Sequence, residues 1–529
     1  MRLRRVASPV ALLLTAFACS EFSGEDNPPA TTPPGQDGGG TDGPVVVGSE
    51  GSLSLDVQPA TTRPFVVQGK SVKVKLTIKR SDALAQRMLP ISVKLLDLPA
   101  GVTAAPITVG PAETSADVEI AATAEMKQGE YAAALEATLE SKDGVPLKVT
   151  KKLTPFVRGP AGALDTTYGV AGYVRTIFGE SVNPALFAAG ESAGTKLTLL
   201  GQAGGPTTGG LFAARLDEDG KLDLTYGTGG LVLVEQRYPL QGGVAADGTA
   251  VLIGNGTICR LTPSGKADAS FGTDGMVEGC VMDPDATDGM MLMDGPSSYV
   301  LGMSGITLRK YKNASLERAS GPYGFGVGGP PTLIAHRIRK EGHIVVGSFD
   351  NGVLGPTYGV GRINFDGSND PLFGTKVGTP ACTGSDYCFG DIVDRPDGSF
   401  IVLTRPTEEG PLRLLAFTAL GKPDNSFGIG GISNPIAVQG SARQLLRMSD
   451  GRFVTVTDAR FLELVRYDAN GNIDSELGAP KTIVLDPALA IKGFRDPKIV
   501  LTKDDRLLLA FHQTLGPSRR DLVVVRIWN

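Results

Sequence analysis

Leu222-Asp-Leu-Thr-Tyr-Gly227, Ala267-Asp-Ala-Ser-Phe-Gly272 and Pro423-Asp-Asn-Ser-Phe-Gly428 are one element met three times, and its recurrence decides the fold. Four more copies complete the set: Leu164-Asp-Thr-Thr-Tyr-Gly169, Leu316-Glu-Arg-Ala-Ser-Gly321, Asn369-Asp-Pro-Leu-Phe-Gly374 and Ile473-Asp-Ser-Glu-Leu-Gly478. Successive copies start 58, 45, 49, 53, 54 and 50 residues apart, and those at 316 and 473 are degenerate. A nearly regular period of this length implies stacked supersecondary units that bury their apolar faces against one another.

Between the copies lies a second element, a tight turn followed by a β-rich run. Asp247-Gly248 precedes Val251-Leu-Ile253, Gly342 precedes Ile344-Val-Val346, Asp397-Gly398 precedes Phe400-Ile-Val402, and Asp450-Gly451 precedes Phe453-Val-Thr-Val456. Asp-Gly between apolar alternations is a hairpin turn, because Gly reaches positive φ without a Cβ clash. Each repeat then supplies about four short strands, which is one propeller blade.

A third regularity sets the hairpin register. An Arg precedes the acid by eight residues in Arg215 and Asp223, Arg260 and Asp268, Arg309 and Glu317, Arg362 and Asp370, and Arg466 and Asp474. Residues equidistant from a turn face each other, so these are expected to form cross-strand ion pairs. A ring of Arg lining a central anion site is the less favoured reading, because the acid accompanies the Arg wherever the Arg occurs. The repeat with Asp424 breaks the pattern and has Ala416 in the Arg position.

The last stretch, Asp521-Leu-Val-Val-Val-Arg-Ile-Trp-Asn529, offers an Arg strand with no acid element after it, whereas Leu164-Asp165 is an acid element with no Arg strand before it. Joined, they make one composite blade, pair Arg526 with Asp165 and remove the open edges that invite aggregation. The expected fold class is therefore all-β: a seven-bladed β-propeller over 160–529, closed by pairing of its N- and C-terminal strands and preceded by an Ig-like β-sandwich.

The turn Gly, the Leu-Asp-x-x-Phe-Gly segment and the Asp-Gly turn resemble the delta-sixty repeat family of bacterial β-propellers over 160–529. The resemblance implies a surface or secreted propeller and names no activity.

The sandwich reading covers 51–157. Val72, Val74, Leu76 and Ile78 alternate with Lys73, Lys75, Thr77 and Lys79, a period of two that gives a strand with one buried face. Ile91, Val93 and Leu95 repeat the pattern, as do Tyr131, Ala133, Leu135, Ala137 and Leu139, while Leu53, Leu55 and Val57 begin the region and Leu147 and Val149 close it. Short strands at this spacing suit an immunoglobulin-like sandwich. The segment 98–109 resembles the Ig-like modules of bacterial surface proteins, without the paired Cys and core Trp of antibody domains.

At the other extreme, Arg2, Arg4 and Arg5 head an uncharged apolar run from Val6 to Ala18, too short for a membrane span and suited to an export signal. Ala16-Phe-Ala18 directly before Cys19 resembles a lipobox, which makes Cys19 the expected lipidation site and 1–18 a lipoprotein-type signal peptide. A freely secreted chain is the alternative, since Ala16 replaces the usual Leu. Ser20 would by resemblance favour an outer membrane. Residues 19–50, with Asn27-Pro-Pro-Ala-Thr-Thr-Pro-Pro-Gly35, read as a disordered Pro/Gly-rich tether.

Composition narrows function mainly by exclusion. The chain has 529 residues, a formal charge of −5, 70 Gly and 36 Pro, a balance that suits many short strands and turns. No Lys/Arg cluster follows residue 5, which argues against nucleic acid or an anionic membrane surface as partner. In an exported chain Cys382 with Cys388, and Cys259 with Cys280, read as disulfides. Metal thiolates are disfavoured because His336, His343 and His512 neighbour no Cys. Calcium is the one cofactor the sequence offers, weakly: Asp283, Asp285 and Thr287 alternate oxygens but lack the loop Gly and the downstream Glu.

Gly190-Glu-Ser-Ala-Gly194 spells a nucleophile elbow, yet a strand-like run, Thr195-Lys-Leu-Thr-Leu-Leu200, follows where a helix is required. Gly324-Phe-Gly-Val-Gly-Gly329 runs into Pro330-Pro331 and so reads as a loop. No catalytic residue emerges. A non-catalytic, surface-displayed propeller binding a protein or polysaccharide is preferred, through insertions near 176–195, 283–298, 318–333 and 375–390. An envelope hydrolase or lyase with acids at the propeller mouth, and a structural spacer, are the alternatives.

Overall fold

The computed structural model describes residues 54–529 apart from internal stretches, of which the longer are 141–145, 177–184, 204–209, 236–240, 273–278, 283–288, 321–331, 351–355, 378–388, 405–409 and 483–496; over much of 281–358 the description is of backbone. The chain is almost wholly β-structure, with one helix at Asp82–Ala85 and one 3-10 turn at Ala269–Phe271 among the described residues. No helix among them is long and apolar enough to cross a membrane.

The N-terminal region builds two four-stranded antiparallel sheets around one core. One holds Leu55–Pro59, Ser71–Arg80, Ser115–Ala122 and Val102–Ala104, and the other Leu147–Leu153, Ala133–Leu139, Ile91–Leu96 and Ile107–Val109. Val74, Leu76 and Ile78 are buried while Lys73, Lys75, Thr77 and Lys79 are exposed, as strict alternation requires. They pack in one cluster with Ile91, Val93, Leu135 and Ala137 of the facing sheet. The outer faces carry matched charges: Lys73 lies opposite Glu119 and Lys75 opposite Asp117. Of the run expected from Tyr131 to Leu139, the strand covers Ala133–Leu139 and leaves Tyr131 outside it. A separate short strand before it, Gly129–Glu130, joins a small third sheet with Phe65–Val67 and Phe156–Arg158.

From Tyr173 onward the described residues form seven small antiparallel sheets. Six come in chain order, over 185–235, 241–282, 289–320, 332–377, 389–417 and 446–482. The remaining one combines Tyr173–Thr176 with Lys498–Leu501, Leu507–Gly516 and Arg519–Ile527. In it Tyr173 lies opposite Val525 and Thr176 opposite Leu522, so an early strand completes the last sheet. Neighbouring sheets share apolar layers: Tyr168, Leu199, Phe212 and Ala214 pack with Leu508, Ala510, Leu522 and Val524. The architecture is thus propeller-like and follows a sandwich-like pair of sheets.

Candidate functional site

The recurring Arg and acid sit at the ends of the sheets, where one sheet meets the next. In the sheet over 185–235, Asp223 N–H donates to Arg215 C=O and puts the two residues side by side. Arg215 Nε then donates to Asp223 Oδ2 at 2.7 Å, with both residues buried. The equivalent contacts are Arg260 to Asp268 at 2.7 Å, Arg362 Nε to Asp370 at 2.9 Å, Arg466 to Asp474 at 2.6 Å and Arg526 to Asp165 at 2.7 Å. The Arg309 and Glu317 side chains lie outside the described residues; the backbone register there places Ala319 opposite Arg309, beyond an irregularity between Lys310 and Tyr311.

Four of these guanidinium groups also cover the aromatic of their own element: Arg215 lies 4.6 Å from the Tyr226 ring centre, Arg260 4.7 Å from Phe271, Arg362 4.8 Å from Phe373 and Arg526 4.5 Å from Tyr168. Two reach the following sheet, where Arg526 Nη1 donates to Glu218 C=O at 2.9 Å and Arg215 Nη1 to Pro263 C=O. The aromatic presses on the same turn, so a Cβ added at Gly220 would sit 2.8 Å from the Tyr168 ring. Gly169 N–H donates to Asp219 C=O, and Gly227 N–H to Ser264 C=O. At these two junctions acid, Arg and aromatic together latch one sheet to the next.

The acid side chain also folds its own turn. Asp223 Oδ1 accepts from Thr225 N–H and Oγ1, as Asp268 does from Ser270 and Asp424 from Ser426. Burial alone would raise the Asp223 carboxyl, but hydrogen bonds from Lys196, Thr225 and Arg215 outweigh it and hold the group well below the usual carboxylate range. The Arg362 hydrogen bond leads in lowering Asp370, and the Ser426 bond, with help from Arg395, in lowering Asp424. Carboxylates held ionised and spent on Arg are unsuited to general acid or base work.

Sequence reasoning missed a second cation. Lys196, Arg452 and Arg506 each add a bond to the latch carboxylate, at 2.7, 3.0 and 2.8 Å to Asp223, Asp474 and Asp165. In the repeat where Ala416 replaces the Arg, Arg395 supplies the guanidinium to Asp424 and lies 5.8 Å from the Phe427 ring centre. The degenerate repeat at 473 has Leu477 in place of the aromatic and adds Glu476, which accepts from Arg452 at 2.8 Å and Arg466 at 3.0 Å.

Cys259 and Cys280 face each other on adjacent strands and form a disulfide, both buried. Cys19, Cys382, Cys388, Asp283, Asp285 and Thr287 lie outside the described residues. Among the described residues no group of three His, Cys, Asp or Glu is placed to hold a metal ion. Ser192 ends the strand Ala185–Ser192, and its Oγ is 2.9 Å from Thr198 Oγ1 on the strand that returns beside it. Ser192 is therefore followed, from Lys196, by a second strand and not by the helix that would present a nucleophile.

One carboxyl stands apart from the latches. Asp391, on the strand Phe389–Asp394 where the register shifts, accepts from Ile392 N–H at 2.8 Å and from Leu445 N–H of the next sheet at 3.1 Å. The residue is only partly buried, yet its carboxyl is enclosed, and burial pushes it up to about 6. Arg337 on the preceding sheet pairs with Asp394 at 3.4 Å and offsets a little of that rise.

No family model matches the chain, and no curated protein matches it. Solved structures do, at low identity. A protein of unknown function from Dyadobacter fermentans is 13% identical, with a TM-score of 0.36, covering 68% of this chain and 98% of that one. The extracellular domain of BT4673 from B. thetaiotaomicron is 12% identical, with a TM-score of 0.40, covering 66% and 39%. A gluconolactonase from Xanthomonas campestris is 13% identical, with a TM-score of 0.29, covering 67% and 99%. Likenesses this distant carry no argument about activity.

Proposed function

We infer that the chain is an envelope-displayed propeller that binds a protein or polysaccharide without catalysis. In this reading 160–529 form a seven-bladed ring closed between Tyr173–Thr176 and Arg519–Ile527, of the delta-sixty repeat type. It stands behind an Ig-like module and a tether, lipid-anchored through Cys19 and facing outward from an outer membrane or into the periplasm. One observation supports the reading: the recurrent acids are held in Arg latches, where each carboxylate serves to hold the fold. Variation between repeats then falls to the insertions near 176–195, 283–298, 318–333 and 375–390, where recognition belongs. In this reading Asp283, Asp285 and Thr287 would be the ligands of any bound calcium.

The test is a pull-down with the purified chain against envelope proteins and a polysaccharide array, with and without calcium. A saturable partner lost on replacing one insertion supports the reading. No partner at micromolar concentration overturns it and leaves a structural spacer. Turnover of an envelope polymer by the purified chain would establish the alternative, a hydrolase or lyase with acids at the propeller mouth, instead.

A further inference from the structure

We propose that the N-terminal sandwich is a clasp that fastens the seam between the first and last strands of the repeat array, rather than a spacer in front of it. The proposal rests on the observed pairing of those strands and needs neither the blade count nor a ligand.

The seam is a hairpin turn without a peptide connection. In the sheet over 185–235, one continuous turn joins Arg215 to Asp223: Asp217 N–H donates to Lys221 C=O at 2.8 Å, Gly220 N–H to Asp217 C=O at 3.0 Å and Asp223 N–H to Arg215 C=O at 2.8 Å. The same three bonds recur between segments far apart in sequence. Trp528 N–H donates to Ala163 C=O at 2.9 Å, Gly162 N–H to Trp528 C=O at 2.7 Å and Asp165 N–H to Arg526 C=O at 2.8 Å. Trp528 thus stands where Asp217 stands, and Gly162 where Gly220 stands. In the other turns chain connectivity holds the two arms together at no separate entropic cost, whereas here the arms meet as strangers.

Side chains of the sandwich bridge the gap. Gln128 Oε1 accepts from Trp528 Nε1 at 2.7 Å and from Thr166 N–H at 2.8 Å, while its Nε2 donates to Leu164 C=O at 3.1 Å. One amide therefore holds both arms of the broken turn. Arg158 Nη1 donates to Asn529 C=O at 3.0 Å, and Phe156 meets the Trp528 ring edge-on at 5.7 Å between centres. Trp528 is almost wholly buried, with Arg506 above it at 5.3 Å, and Arg506 in turn holds Asp165 at 2.8 Å. Gly159 allows the close approach: a Cβ there would lie 2.7 Å from both Gln128 Nε2 and Trp528 Cδ1.

Trp528 is the only Trp in the chain, so its fluorescence reads the seam directly while far-UV circular dichroism reads all the sheets. In the unaltered chain both signals should change together on denaturant titration. In Gln128→Ala, and separately in Arg158→Met, the fluorescence transition should come at lower denaturant than the circular dichroism transition. Hydrogen exchange at the Asp165 and Arg526 amides should quicken about tenfold, with the equivalent amides of Asp268 and Asp370, in the sheets over 241–282 and 332–377, unchanged. Asp117→Ala, on the exposed face of the strand Ser115–Ala122, should do neither. If both transitions stay superimposed in both variants, or if remote amides quicken as much as seam amides, the sandwich is not a clasp. Gly159→Ala gives an independent check: it should uncouple the signals in the same order by pushing the two surfaces apart. Loss of a binding partner in the pull-down would leave this result untouched.

Discussion

Arg395 and Asp424 form an ion pair between the turn that precedes one strand and the acid element that closes the same sheet, and so replace a guanidinium missing at Ala416. The latch is thus defined by where a cation arrives and not by which strand delivers it. Arg395→Ala should cost about 2 kcal/mol, because it strands a largely buried carboxylate. Adding Ala416→Arg to that variant should recover part of the loss, read as the guanidinium midpoint of the three proteins. Equal midpoints for Arg395→Ala and the unaltered chain would contradict the latch.

Gly220 and Gly229 separate contact from backbone strain. Both have positive φ, at 83° and 63°, so Ala is strained at either. Only at Gly220 would the Cβ meet neighbours, with Val174 Cγ2 at 2.2 Å and the Tyr168 ring at 2.8 Å, whereas nothing lies within 4 Å at Gly229. Gly220→Ala should therefore cost at least about 2 kcal/mol more than Gly229→Ala, read by thermal unfolding of both.

Two opposed pH dependences follow from the carboxyls. Asp223, Asp268, Asp370, Asp424 and Asp474 are held below their unfolded values, so the stability they contribute is present at neutral pH and lost as pH falls below about 4. Asp391 has the opposite sign. Its carboxyl is raised to about 6, so its contribution is present below about pH 4 and lost as pH rises through 6. After solvent screening that loss is about 1–2 kcal/mol. Unfolding midpoints measured every half unit from pH 3 to 8 should show the unaltered chain losing stability from pH 4 to 6 relative to Asp391→Asn. A constant difference between the two across that range would refute the assignment.

The Cys259–Cys280 bond closes a loop of sequence separation 21 within one sheet. Replacing both residues by Ala should lower stability by about 3 kcal/mol, chiefly by freeing the unfolded chain. The sheets themselves should persist, because Cys259 also lies in a strand bonded on its other side to Ala250–Gly254. Far-UV circular dichroism of the double variant, before and during denaturation, checks both statements.

Local pattern carries far in this chain, for a physical reason. A strand's side chains alternate whatever it packs against, so Val74, Leu76 and Ile78 announce their buried face without a partner. A hairpin's geometry depends on residues within reach of its turn, so Arg215 and Asp223, eight apart, announce their contact as well. The pairing of Arg526 with Asp165 is legible for the same reason, once the two incomplete copies are read as halves of one.

What joins one sheet to the next is not written in any single repeat. Arg395 standing in for the residue absent at 416, Arg215 reaching Pro263 beyond its own sheet, and Asp391 accepting from Leu445 all depend on how neighbouring sheets are turned, which only their packing sets. Gln128 is the extreme case. Nothing in its surroundings in the sequence, Met126-Lys-Gln-Gly129, marks it as the bridge between Leu164, Thr166 and Trp528. Gln128 becomes a clasp only when two distinct cores are brought together, because hydrogen-bond partners across an interface follow from shape and orientation, and neither has a period in the chain.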